Sequence, residues 1–213
     1  MGFDQMDGVV RPSPQPHPPG ATWRFETFDA DAFALSDGGA TITATTGMLA
    51  EERYALGNLL TSGRHEWEFV VNQTRYPDAH IFLGVCDATC GDGKGATWSY
   101  SPPTGSLYIG TEPNEHGEEQ MKKEDKIHGH EFGRDENGFA GHVCRVIADL
   151  DARTLAFKID DHDPVQIRPS LPPAVRVWAF IYHEGDSLTI REPEGITPHQ
   201  SPAPVAAAAE FKE

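Results

Sequence analysis

Apolar residues in this chain recur at every second position in short runs, and almost nowhere at the spacing of a helix. In Arg64–Val71, Trp67, Phe69 and Val71 fall on one face of an extended segment while Glu66 and Glu68 fall on the other. The run His80–Cys86 is apolar on both faces, as a central strand should be. Residues 142–150 and 154–159, separated by Asp151-Ala152-Arg153, read as a β-hairpin. Residues 175–182 and 187–190, separated by His183-Glu184-Gly185-Asp186, read as another. Weaker strands are predicted at 40–44, 54–60, 96–100 and 106–109. The 21 glycines and 17 prolines among 213 residues supply the turns that so many short strands require. The expected class is all-β, with two packed antiparallel sheets.

The two ends break this pattern. Arg11–Gly20 alternates proline with polar residues and is predicted to be extended polyproline II, so residues 1–20 are assigned to a disordered proline-rich segment. Residues 192–213, with scattered prolines and the run Ala206–Ala209, are predicted to be a disordered tail. The folded domain is expected over residues 21–191. Inside it, Thr111–Asn137 holds nine acidic residues against four basic ones and is predicted to be a long acidic loop, a functional or solvated insertion.

Charge narrows the partners. The 17 Lys and Arg against 33 Asp and Glu give a net charge of −16, most of it in the predicted domain. Binding a phosphate backbone needs basic residues, so nucleic acid is excluded as an expected partner. No apolar run approaches the ~18 residues of a membrane span. The start of the chain has neither the basic nor the apolar region of a secretory leader, and the three cysteines are expected to be reduced thiols in the cytosol or nucleus. In that setting the sequon Asn72-Gln73-Thr74 would stay unmodified.

The motifs in chain order have a family look. Gly63-Arg-His-Glu-Trp-Glu-Phe69 resembles the "G-x-H-x-W-E-V" strand of SPRY domains, and Phe82-Leu-Gly-Val85 resembles the strand that follows it. The segment Trp98–Tyr108 is similar to the "W-x-Y-x-x-x-x-G-x-L-Y" stretch, and Asp149–Phe157 to the "D-L-D-x-x-T-L-x-F" hairpin. Pro173-Ala-Val175 and Glu184–Ile190 resemble the closing pair of strands. One departure is Asp160-Asp161-His162-Asp163, standing where the family often has the Asn-Gly of a tight turn, so a longer turn is expected there. The resemblance implies a bent β-sandwich of the concanavalin A-like, jelly-roll type. It also implies a module that binds another protein through loops at one end, without catalysis or cofactor.

Catalytic and metal readings fare worse. Glu66 and Glu68 flank Trp67, whose side must be buried, so they sit on an outer face rather than across a sugar-cleaving groove. His116, His128, His130 and Glu131 lie in the acidic loop without the spacing of a zinc site, and Cys86-x-x-x-Cys90 has no matching second pair. No Gly-x-Ser-x-Gly is present, and Gly91-Asp-Gly-Lys-Gly95 lacks the frame of a phosphate loop. No catalytic residue, metal or cofactor is therefore assigned. Trp67, Phe69, Phe157 and Phe180 are assigned to packing. Arg75, Tyr76, Tyr100, Tyr182 and His183 are the candidate partner-binding residues, because hot spots favour aromatic and arginine side chains presented by loops. The expected partner is an extended peptide of another protein, of basic character given the acidic loops, bound by a monomer. The alternatives are a fixed subunit of a larger assembly and a glycan-binding or hydrolytic sandwich.

Overall fold

The computed structural model describes residues 22–28, 31–46, 54–75, 80–89, 96–113, 119–127, 129–134, 138–167 and 170–194. The predicted proline-rich segment, Tyr76, Cys90, Gly91–Gly95 and residues 195–213 lie outside them.

Two seven-stranded antiparallel sheets form the fold. The first runs β1 (Phe25–Phe28), β4 (Ala55–Leu60), β13 (Val175–Ile181), β6 (Ile81–Asp87), β7 (Thr97–Ser101), β8 (Ser106–Pro113) and β9 (Glu119–Lys126). The second runs β12 (Val165–Ile167), β11 (Thr154–Ile159), β10 (Val143–Asp149), β5 (Arg64–Gln73), β14 (Ser187–Arg191), β3 (Thr41–Ala44) and β2 (Phe33–Ser36). Among the described residues no helix is long and apolar enough to cross a membrane.

The alternation seen in the sequence becomes the core. Trp67, Phe69 and Val71 of β5 are fully buried, as are Cys144, Val146 and Ala148 of β10 and Leu155 and Ile159 of β11. They meet the inward residues of the first sheet. Trp67 lies 5.0 Å from Trp23, Phe69 stacks on Phe25 at 6.4 Å, and Phe157 stacks on Tyr100 at 5.4 Å. The other side of β5 is polar, as expected. Glu66 pairs with Arg64, while Glu68, almost fully buried, accepts hydrogen bonds from Arg145 and Arg191. With their carboxylates held in ion pairs, these glutamates do not form a free acid–base pair.

Gly84 explains part of the Phe82-Leu-Gly-Val motif. It faces Ser99 across β7, and a Cβ there would fall on the Trp98 carbonyl oxygen and 2.9 Å from the Ser99 Cα. Both obstacles are backbone, so the neighbouring strand must move. Gly84→Ala is expected to cost roughly 1–3 kcal/mol, read as a lower urea midpoint with an unchanged m-value.

The region 111–137 differs from its prediction. Residues 111–113 extend β8, and Glu119–Lys126 forms β9, so what read as an acidic loop is in large part a hairpin at the sheet edge. The physical reason is that an edge strand needs only one hydrogen-bonded neighbour and no apolar face, and charge there blunts further pairing. The departure at Asp160–Asp163 does produce a longer turn: five residues join β11 to β12, with Asp160 at φ 45°. Beyond β14, the exposed Glu194 carboxylate lies 2.7 Å from Arg191, and the Glu194 carbonyl accepts Arg145 Nη2–H at 3.4 Å.

Candidate functional site

At one end of the sandwich, three connections meet around a single carboxylate. The loop after β5 brings Arg75 close to the His183–Asp186 turn between β13 and β14. Asp186 is fully buried, and its Oδ1 accepts the Arg75 backbone N–H at 2.9 Å while Oδ2 accepts the His183 N–H at 3.2 Å. Gly185, at φ 88°, closes the turn, and its N–H reaches the Ala44 carbonyl at 2.8 Å. The Asp186 carbonyl in turn accepts the Ala44 N–H at 2.9 Å, so the end of β3 is tied in as well. From the other side, Thr74 Oγ1 accepts the Phe139 N–H at 3.0 Å and the Gly141 N–H reaches the Val71 carbonyl. Thr74 and Arg75, at the start of the loop after β5, are therefore held on both flanks before any ligand arrives.

This frame presents a mixed surface. The Arg75 guanidinium lies 3.9 Å from the Glu184 carboxylate, both side chains being more than half exposed. Tyr182 is half-buried, with its ring 5.3 Å from His80, 6.1 Å from Phe180 and 5.1 Å from His183. Burial raises the Asp186 pKa above its ordinary 3.8, against the two backbone N–H groups and the nearby His183, which lower it.

Of the five residues expected to bind a partner, the structure brings Arg75, Tyr182 and His183 together. His183 is buried, so its place is in the frame beneath the surface. Tyr76 lies outside the described residues. Tyr100 is a correction: it sits inside β7, faces the other sheet, is 1% exposed and donates its hydroxyl to the His130 carbonyl at 2.7 Å. Burial raises its phenol pKa far above the ordinary value, which keeps it a neutral donor. The alternation Trp98, Tyr100 already put both rings on one face, and that face is the core. Phe180, assigned to packing, does pack, but on the outer face of the first sheet against the Leu56, Cys86 and Trp178 cluster, where it is only partly buried.

Sequence reasoning missed Asp186, since an acid in a turn looks like any solvated turn residue. It also missed the dyad of His142 and Asp160. His142 Nδ1 lies 2.8 Å from Asp160 Oδ2, its Nε2 meets the Gly133 carbonyl, and its ring stacks on Phe132 at 4.7 Å. Asp160 Oδ1 also accepts the Val143 N–H, so this pair pins the segment leading into β10. Among the described residues no group of three or more His, Cys, Asp or Glu side chains is placed to hold a metal ion.

No protein-family model matches the chain, and no curated protein matches it. Solved structures do resemble it. The SPRY domain of human HERC1 is 18% identical with a TM-score of 0.54, the match covering 79% of this chain and 99% of that domain. The TRIM65 PSpry domain is 15% identical with a TM-score of 0.53, covering 80% of this chain and 93% of that one. Two facing seven-stranded sheets, with the Trp67 strand at the heart of one and the 149–157 hairpin beside it, thus give this chain an SPRY-like fold.

Proposed function

We propose that the chain is a protein-interaction module that holds an extended segment of another protein on the surface built by Arg75, Tyr182 and Glu184. The observation that carries this reading is the buried Asp186, which fixes two loops at once and so lowers the entropy lost on binding. A frame that rigid has little purpose under a purely solvated turn. The SPRY-like fold supports the reading as well, since such domains bind proteins through loops on a fixed double sheet. Tyr182 offers a half-buried aromatic anchor, Arg75 a forked donor, and Glu184 an acid for a basic side chain of the partner. With a net charge of −16, the chain attracts basic segments over distance and speeds their association. In this reading recognition involves no reaction and no cofactor, and the module acts as a monomer in the cytosol or nucleus. Tyr76, next in sequence to Arg75, would add a further contact.

The test begins with peptides selected from a random library on the immobilised full chain, their affinities measured by calorimetry. The double variant Arg75→Ala/Tyr182→Ala is expected to bind the selected peptides at least about tenfold more weakly, the loss of one or two hot-spot side chains. Its melting temperature should stay close to that of the wild type. Unchanged affinity in the folded double variant would show that the surface lies elsewhere.

A further inference from the structure

The two sheets turn very different outer faces to their surroundings. That of the second sheet is polar: Glu66, Glu68 and Arg145, then Asn72, Thr41 and Thr189, joined by hydrogen bonds. That of the first sheet carries a row of aromatic rings beside the buried polar residues Arg176, Thr97 and Ser99. Along β13, Val177, Ala179 and Ile181 enter the core, so Trp178 and Phe180 point the other way, with Tyr182 following at the strand end. Phe82 stands opposite Phe180 in register. Ring contacts then run across the sheet, Trp178 to Phe180 at 6.5 Å, Phe180 to Phe82 at 5.7 Å and Phe82 to Tyr108 at 4.9 Å. Beneath the rings lie Leu56 and Cys86, both fully buried, while Phe82, Phe180 and Tyr54 remain only partly buried. This second apolar cluster is separate from the inter-sheet core. Trp178 is buried, but Phe180, Phe82 and Tyr108 are only partly so, and a row of part-exposed rings is what a solvent-facing sheet ordinarily avoids.

We propose that the chain's own proline-rich segment, Arg11–Gly20, lies in extended form across this aromatic row. Three observations converge on that occupant. The chemistry fits, because polyproline II segments dock onto aromatic-lined surfaces and lose little entropy in doing so. Arg11–Gly20 carries five prolines and, apart from Arg11 and His17, no ionisable side chain. The path fits, because Trp23 leads directly into β1, which pairs with the β4 strand that carries Leu56. The length fits too: ten residues at about 3.1 Å each reach about 30 Å, and the five strand spacings from β1 to β8 amount to about 24 Å. This inference does not depend on the loop-end surface, although Tyr182 borders both.

The experiment uses the full chain with Cys90→Ser and Ser13→Cys, a nitroxide attached at residue 13; Cys86 and Cys144 are buried and leave it as the reactive thiol. The amides of Phe82, Tyr108 and Phe180 are expected to lose most of their NMR intensity in the oxidised label relative to the reduced one. Thr43 and Thr189, on the opposite outer face, should keep theirs. Replacing the five prolines by serine should restore the lost intensity. Weak broadening without preference for the aromatic row would overturn the proposal. So would the same broadening in isotope-labelled chains mixed with nitroxide-bearing unlabelled chains, since a second copy would then be the occupant.

Discussion

Trp67→Ala is expected to yield a chain that collapses without a cooperative melt, or that is recovered only as aggregate. Trp67 is fully buried at the centre of the inter-sheet core, 5.0 Å from Trp23 and edge-on to Phe69 at 6.4 Å. Truncating a buried aromatic side chain removes its transfer free energy and leaves a cavity, together roughly 3–5 kcal/mol. A domain holds about 5–15 kcal/mol in total, so most of the margin goes. The neighbours cannot close the gap, because Trp67 sits on β5 with β10 on one side and β14 on the other, and moving it breaks both ladders. Trp67→Phe keeps most of the volume and should retain a cooperative transition at a lower midpoint. Near-ultraviolet dichroism and a thermal melt read both variants. A sharp, wild-type-like transition in Trp67→Ala would mean that the two sheets are held together elsewhere.

The central strands were legible because burial on one face writes an alternation into the sequence. Every strand with two neighbours left a trace: alternation in β5, β10, β11 and β14, a near-continuous apolar run in β6 and β13, and weaker signals in β3, β4, β7 and β8. The strands the sequence did not announce are β1, β2, β9 and β12, and these are the four sheet edges. Three of them are four residues or shorter, and the fourth, Glu119–Lys126, is mostly charged. An edge pairs on one side only, so backbone bonds decide it and the side-chain code falls silent. The site was half legible for a related reason. Arg75 and Tyr182 could be picked as side chains that loops present. Tyr100 could not be told from them without knowing which face of β7 is inward. Asp186 acts through backbone N–H groups from two loops far apart in sequence, and no local pattern encodes that.

Asp186→Ala is expected to loosen the loop end and abolish most peptide binding while the sheets stay intact. Removing the carboxyl strips the acceptor from the Arg75 and His183 N–H groups in a buried place, and each unpaired donor costs ~1–3 kcal/mol. Part of that is returned because a buried charge disappears, leaving a net loss of about 2–4 kcal/mol and a melting temperature lower by roughly 5–15 °C. Asp186→Asn separates the two contributions. It keeps the shape and one acceptor oxygen without the charge, so it should lose clearly less stability than alanine. Its pH dependence follows from the raised pKa, caused first by burial. The folded state keeps the proton to higher pH than the unfolded chain, so the stability held through this group is full below the ordinary 3.8 and declines as pH rises through the window above it. The advantage of wild type over Asp186→Asn in urea midpoints should therefore be smaller at neutral pH than near the low end of that window. For binding, the alanine variant should fall at least as far as Arg75→Ala/Tyr182→Ala, although Asp186 itself is buried beneath the surface and out of reach of a ligand. Full affinity in a folded Asp186→Ala protein would show that the two loops hold their places without it, and the preorganised surface would lose its foundation.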